Sequence, residues 1–145
     1  MTLLELIIAC SILLILSSAA LPIAKYTVIR RKETELRRDL REIKDAIDRY
    51  KDAADRNQIR VEIGSEGYPP DLETLVKGVQ LGASSDRKIR FLRKIPVDPM
   101  TGRAEWGLRA VQDDPDSTSW GGKNVFDVYS KSTGTALDGT KYSNW

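Results

Sequence analysis

The sequence predicts an α+β protein in which one long N-terminal helix precedes a small β-rich region. An almost wholly apolar run extends from Leu3 to Ala24, and a charged stretch free of glycine and proline follows it to about Asn57. Much later, residues 124–130 alternate between two sets of side chains, as a half-buried strand does. Helical patterns at the start and strand patterns near the end together predict this fold class.

The composition narrows the chemistry that this chain can perform. Its 145 residues are 41% apolar and 30% charged with a net charge of +2, which suits a folded protein and argues against a nucleic-acid binder. The sequence has no histidine and a single cysteine, Cys10, so histidine-ligated metals, histidine-based catalysis and an internal disulfide are excluded. It also lacks a glycine-rich phosphate loop and a nucleophile elbow. We therefore expect a protein that is not an enzyme.

The first segment, residues 1–24, is long enough to cross a bilayer as a helix, which takes about 20 residues. A secretory signal peptide has a basic start and a shorter apolar core, whereas the first basic residue here is Lys25. The segment is thus predicted to be either a signal anchor without its usual basic start or an N-terminus from which a basic leader has been removed.

Two residues in this segment depart from a plain membrane helix. A carboxylate such as Glu5 is costly in a bilayer, so Glu5 either has a cationic partner, such as the α-amino group of Met1 on its own or a neighbouring subunit, or lies at the membrane edge. Pro22 removes a backbone donor, so it either loosens the helix or ends it. We expect the helix to be loosened there and to continue.

Residues 25–58 are predicted to be an amphipathic continuation of that helix. Apolar side chains recur at spacings of three, four or their sums, namely Val28, Leu36, Leu40, Ile43, Ile47 and Tyr50. This stripe should pack on the C-terminal domain, residues 59–145. The basic cluster of Arg30, Arg31 and Lys32 either faces solvent and lipid headgroups or forms salt bridges between subunits.

The C-terminal domain is predicted to contain one short helix and two strands, of which the second has the clearer pattern. Glycines and prolines at 64–70 break the long helix, and Asp71 is placed to cap a short helix over LETLV. Residues 78–86 are predicted to be a loop, and residues 89–99 a short apolar element that ends in a turn at Pro96, Asp98 and Pro99. Strands are expected at 106–111 and 124–130, separated by a polar loop.

The start of the chain, Met1-Thr2-Leu3-Leu4-Glu5-Leu6 before an apolar run, resembles the mature N-terminus of type IV pilin-like proteins. The resemblance implies cleavage of a basic leader by a prepilin peptidase and methylation of Met1. It also assigns Glu5 and Pro22 to the acidic position and the helix-loosening proline that the family uses in assembly.

The middle of the chain, YPPDLETLV followed by FLRKIPVDP, looks like the major pseudopilins of type II secretion, the protein G family. Lys94, Pro96, Asp98 and Pro99 match the Lys-x-Pro-x-Asp-Pro turn of those proteins. The resemblance covers most of the chain and implies a small antiparallel sheet packed against the long helix.

The family often binds Ca²⁺ near its C-terminus, which in this chain places Asp138, Ser130 and Ser132 as candidate ligands. Calcium prefers six to eight oxygen ligands with carboxylates prominent, and Asp138 is the only carboxylate after Asp127. The alternative is a metal-free loop with turns at Gly134 and Gly139, held by inward packing of Tyr142 and Trp145.

As a function, the resemblance implies a subunit that leaves the bacterial inner membrane and polymerises into a helical pseudopilus in the periplasm, driving export of folded proteins. Its implied partners are copies of itself, minor pseudopilins, the inner-membrane assembly platform with its ATPase, and the prepilin peptidase; no nucleic acid is expected. A surface pilus for adhesion, motility or DNA uptake is the alternative, and a single-pass membrane protein with a binding domain is a third.

Overall fold

A single helix, α1, runs from Leu3 to Asp55 in the computed structural model, which describes residues 1–83 and 86–145. At 1.5 Å per residue it is about 80 Å long. Helical backbone continues through Pro22, so the alternative that Pro22 ends the membrane helix is wrong. Arg56 then caps the helix, and Asn57 adopts a positive φ of 56° where the chain turns away.

A short helix and two small antiparallel sheets follow, which confirms the α+β class. Helix α2 spans Leu72–Lys77, and Asp71 caps it by accepting a hydrogen bond from Thr74 N at 2.7 Å, as predicted. The four strands are β1 (Val79–Gln80), β2 (Lys88–Ile89), β3 (Trp106–Arg109) and β4 (Asp127–Ser130). Strand β1 pairs with β2, and β3 pairs with β4 in the register Trp106 to Ser130 and Arg109 to Asp127. A 3₁₀ turn, Tyr142–Asn144, lies near the end of the chain.

The strands differ in detail from the prediction. The segment 78–86 contains β1, which pairs with β2 across a connection whose residues 84–85 lie outside the described part of the chain. Both predicted long strands are shorter than expected, because regular pairing stops at Arg109 and begins at Asp127. Beyond these paired residues, the side-chain oxygen of Asn124 accepts a hydrogen bond from Val111 N at 3.0 Å.

The core lies between the second half of α1 and these sheets. Five of the six predicted stripe residues are buried, from Leu36 to Tyr50, whereas Val28 is 53% exposed. Val28 was wrongly assigned to the core because helical spacing marks a face without marking where the domain begins. The other buried apolar residues include Leu75, Phe91, Leu92, Trp106, Val125, Val128 and Tyr142.

Strand β4 is joined to α1 by charge as well as by packing. Asp127 lies 3.1 Å from Lys44 Nζ of α1 and 3.4 Å from the guanidinium of Arg109 on β3. The Arg109 guanidinium also lies 4.1 Å from the centroid of the Tyr129 ring. That ring fills the space above Gly107, where a Cβ atom would overlap it, so glycine is required for this close packing.

Candidate functional site

The most exposed apolar surface in the described part of the chain is the first half of α1. The helix is long and apolar enough to cross a membrane, and none of its most apolar 18-residue window is buried against the rest of the protein. Large side chains such as Leu4, Ile7, Leu14 and Leu21 are each half or more exposed. An apolar surface of this size in water is strongly unfavourable, so it must be covered by lipid or by other protein chains.

The N-terminus of α1 is closed by a capping box that joins Thr2 and Glu5. Glu5 N donates to Thr2 Oγ1 at 3.3 Å, and Thr2 N donates to a carboxylate oxygen of Glu5 at 3.4 Å. The Thr-x-x-Glu spacing is typical of such a cap, although it is not among the features predicted above. Met1 is 96% exposed beside the cap, and no ion pair joins its amine to Glu5 within the described residues.

The segment around Pro22 keeps its helical backbone, and two neighbouring hydroxyl groups donate to carbonyls of the preceding turn. Ser18 Oγ donates to Ile15 O at 2.8 Å, and Thr27 Oγ1 donates to Ile23 O at 3.0 Å. Ser17, Ser18, Ala19 and Ala20 lie on the turn before the proline, and their small side chains leave room for another helix to approach closely. Cys10 is exposed on the same apolar surface.

The turn at Pro96, Asp98 and Pro99 is present and is anchored in the core by Asp98. This carboxylate is fully buried: one oxygen accepts from Met100 N at 2.8 Å, and the other accepts from Ser130 Oγ at 2.5 Å. The backbone of Pro96 accepts from Trp106 Nε1 at 3.0 Å. The turn thus ties the segment before β3 to the end of β4, which is a structural role.

The three candidate calcium ligands do not form one site. Ser130 Oγ is committed to Asp98, and Ser132 contacts Ser130 through its backbone N–H at 3.1 Å. Asp138 lies on a separate turn, where Thr140 donates to one carboxylate oxygen and Arg37 lies 3.6 Å from the other. Within residues 1–83 and 86–145, no group of three acidic, cysteine or histidine side chains is placed to hold a metal. These residues do not fit the calcium ion that the resemblance implies.

Protein groups instead hold the C-terminal loop (residues 131–145) against α1. Glu33 of the helix accepts from Leu137 N at 2.8 Å and from the Tyr142 hydroxyl at 3.0 Å. Tyr142 is buried and packs edge to face against Trp145, which is half-buried. Burial, and then the hydrogen bond to Glu33, raise the pKa of Tyr142 above its usual range.

These contacts match the metal-free alternative for the loop. Gly139 has a φ of +87° at the turn that follows Asp138, and Tyr142 packs inward as that alternative requires. The helix residues Glu33 and Arg37 were not expected to take part. They are 104 and 101 positions from Leu137 and Asp138 in the sequence, so no local pattern could have paired them.

Comparison of this chain with known protein families, with curated proteins and with solved structures finds no match.

Proposed function

We propose that this chain is a structural subunit of a helical filament, the pseudopilus of a type II secretion system, and that it has no catalytic role. The observation that carries the proposal is the division of α1 into two halves. The first half is apolar and has no contact with the rest of the described chain, and one face of the second half is buried under the chain's own domain from Leu36 onward. The first half of such a helix can be embedded in lipid or among other helices while the folded domain on its second half lies in water.

The same apolar surface suits both states of such a subunit. In the membrane it is solvated by lipid tails, and in a filament it is covered by the corresponding helices of neighbouring subunits. Because lipid tails and apolar side chains are similar environments, the transfer gains little hydrophobic energy, and packing detail decides the arrangement. The small residues from Ser17 to Ala20 provide one place for close approach.

Glu5 would set the register between subunits. In the isolated chain its carboxylate serves only the helix cap, with a long 3.4 Å contact to Thr2 N, so it retains acceptor capacity. In a filament we propose that Glu5 pairs with the Met1 amine of a neighbour. A buried pair of this kind contributes more to alignment than to net stability, because both charges must lose water.

The proposed orientation places the domain in the periplasm and the N-terminus at the cytoplasmic side of the inner membrane. All of the basic residues in this sequence follow the apolar run, and the positive-inside tendency on its own favours the opposite orientation. The proposal therefore depends on a basic leader that directs insertion and is then removed by a prepilin peptidase. Minor pseudopilins and the assembly platform with its ATPase are the further proposed partners.

The N-terminal peptide and the location of the filaments provide the test. Mass spectrometry of native membranes should find a peptide that begins at a methylated Met1, and electron microscopy should find periplasmic filaments that contain this chain. Deletion of the gene that encodes this chain should abolish protein secretion and leave surface fibres intact. Loss of surface fibres with intact secretion would instead identify a surface pilin. An unprocessed N-terminus without filaments would identify a simple membrane anchor.

A further inference from the structure

Four basic residues lie on α1 just beyond its apolar run, and we call Lys25, Arg30, Arg31 and Lys32 the basic ring. All four are exposed. At 1.5 Å per residue, Arg30, Arg31 and Lys32 lie about 9–12 Å beyond Ala24 along the helix axis. A bilayer has a hydrocarbon core of about 30 Å and headgroup layers of several ångströms on each side. The backbone of residues 30–32 therefore lies a few ångströms outside the headgroup layer, and the long side chains, which lean toward the helix N-terminus, reach back to the lipid phosphates. Lys25 lies at the edge of the hydrocarbon core.

The direction of these side chains indicates a partner that surrounds the helix. Successive residues of an α-helix point about 100° apart, so Arg30, Arg31 and Lys32 cover about 200° of its circumference. A single partner protein contacts a helix from one side, whereas lipid headgroups, or several neighbouring copies in a filament, contact it from all the sides that the domain leaves free. The remaining side carries Ile29 and Glu33, and Glu33 is bound to the C-terminal loop that overhangs it.

The basic ring has no internal counter-charge. The sequence contains no acidic residue between Glu5 and Glu33, and no ion pair involves the basic ring within residues 1–83 and 86–145. By contrast, Arg37 and Arg38, one to two turns further along, are paired with Asp138, Glu35 and Asp39. Four positive charges without an acidic partner in the described part of the chain are thus concentrated on the part of α1 that follows the apolar run.

The side chains next to the basic ring also suit a membrane interface. Tyr26 is 58% exposed directly after Lys25, and aromatic residues with a polar tip are enriched at this depth. The hydroxyls of Thr27 and Thr34 donate to the carbonyls of Ile23 and Arg30, so they are not available as donors to a ligand. Recognition would therefore depend on the cationic groups, which favour anionic phosphate over a zwitterionic headgroup.

We infer that the basic ring is a binding surface for anionic phospholipids, which hold the subunit in the bilayer at a fixed depth. The inference requires the membrane span but does not require filament formation. Each cation near an anionic membrane surface strengthens binding about fivefold, so loss of Arg30, Arg31 and Lys32 should weaken the preference for anionic lipid up to about a hundredfold.

The test uses the full chain in detergent micelles supplied with equal amounts of phosphatidylglycerol and phosphatidylcholine that have the same acyl chains. Native mass spectrometry counts the lipids of each kind that stay bound. The wild-type chain should retain phosphatidylglycerol in large excess at low salt and less of it at high salt. The triple variant Arg30→Gln, Arg31→Gln, Lys32→Gln should lose this preference, with its helix content checked by circular dichroism.

A second triple variant, Arg60→Gln, Lys123→Gln, Lys131→Gln, removes the same charge from exposed positions of the domain and should keep the wild-type preference. Equal retention of the two lipids by the wild-type chain would overturn the inference, and so would equal loss in both triple variants. The inference would also be overturned if neutralising the basic ring changed self-association of the chain but left the lipid count unchanged, because the ring would then belong to a contact between copies.

Discussion

The guanidinium carbon of Arg37 lies 4.2 Å from the centroid of the Trp145 ring, so helix α1 and the C-terminal loop are joined by a cation–π contact. The same guanidinium lies 3.6 Å from Asp138. Trp145 Nε1 donates to Thr140 Oγ1 at 2.7 Å, and this hydroxyl donates to Asp138 at 2.6 Å. The contacts form a closed circuit of protein groups in which Arg37 is the cation that faces the Asp138 carboxylate.

We therefore predict that the stability of the C-terminal loop does not depend on calcium. A chelator should leave the Tm of the full chain unchanged, and added Ca²⁺ should not raise it, because an ion that binds only the folded state would stabilise that state. Arg37→Gln should lower the Tm by about 3 °C, since an exposed ion pair and an exposed cation–π contact are each weak. Differential scanning calorimetry measures all three effects.

A matched control for Arg37→Gln is Arg56→Gln, which removes another exposed arginine that is ion-paired, with Asp52, at the far end of α1. Hydrogen exchange at Leu137 and Thr140 should accelerate in Arg37→Gln and stay at the wild-type rate in Arg56→Gln. A calcium-dependent rise in Tm would show that the loop binds metal and that the Arg37 circuit is secondary.

The acid sensitivity of the same loop should depend on Asp138. Hydrogen bonds from the Thr140 hydroxyl and backbone, followed by the nearby Arg37, hold the pKa of Asp138 below its usual value. A carboxyl whose pKa is depressed by folding contributes stability above its unfolded pKa of about 3.9 and loses it as the pH falls through the folded value. Stability measured by denaturant titration should therefore fall below about pH 4, and Asp138→Asn should reduce the slope.

Asp116→Asn is the control for this titration, because Asp116 is exposed and its side chain has no hydrogen bond or ion pair in the described part of the chain. This variant should keep the wild-type slope below about pH 4. If stability falls equally steeply below about pH 4 in the wild type and in Asp138→Asn, other carboxyl groups, such as Asp113, cause the loss of stability in acid. The pKa of Asp113 is also lowered, by backbone hydrogen bonds from Ala110 and Gly121.

The elements that were predictable from sequence are those with a local cause. The spacing of Leu36, Leu40 and Ile43 and the cap at Asp71 depend on residues within a few positions of each other, and both were confirmed. The strands were predicted too long because alternation continues past the last residue that finds a partner, as at Arg109. The short strand β1 has no pattern of its own and exists only through its pairing with β2.

The candidate site was less predictable, because its contacts join distant parts of the chain. Composition could identify Asp138 as the carboxylate near the end of the chain, but only the fold shows that Arg37 neutralises it. The family resemblance implies Ser130 as a calcium ligand, whereas its hydroxyl donates to Asp98, 32 positions earlier in the sequence. The assembly roles of Met1, Glu5 and Pro22 depend on neighbouring subunits and remain predictions.

Ser130→Ala should destabilise the domain strongly for a change of one oxygen atom. It removes the donor to a carboxylate of Asp98 that is 0% exposed, and a buried acceptor left without its partner costs about 1–3 kcal/mol. Chemical denaturation of the full chain in detergent measures the loss. Ser143→Ala is the control, because the Ser143 side chain makes no hydrogen bond within residues 1–83 and 86–145, and it should have little effect.

A double-mutant cycle with Asp98→Ala separates this hydrogen bond from general packing. If the two groups act through each other, the double variant should be less destabilised than the sum of the single variants. Simple additivity would show that Ser130 and Asp98 stabilise the domain independently, and the link between the turn and β4 would then carry no energy of its own.

The capping box at Thr2 and Glu5 makes it possible to separate the two roles of Glu5. Glutamine serves in a capping box as glutamate does, so Glu5→Gln should keep the cap on α1 while it removes the negative charge. Thr2→Ala does the reverse, because it removes the hydroxyl that accepts from Glu5 N and keeps the charge. If the charge of Glu5 pairs with the amine of a neighbouring subunit, Glu5→Gln should abolish filaments and Thr2→Ala should only slow their formation. Electron microscopy of filaments sheared from cells that express each variant at equal levels makes the comparison. If Glu5→Gln forms normal filaments, the role of Glu5 is limited to capping the helix, and its charge does not set the register between subunits.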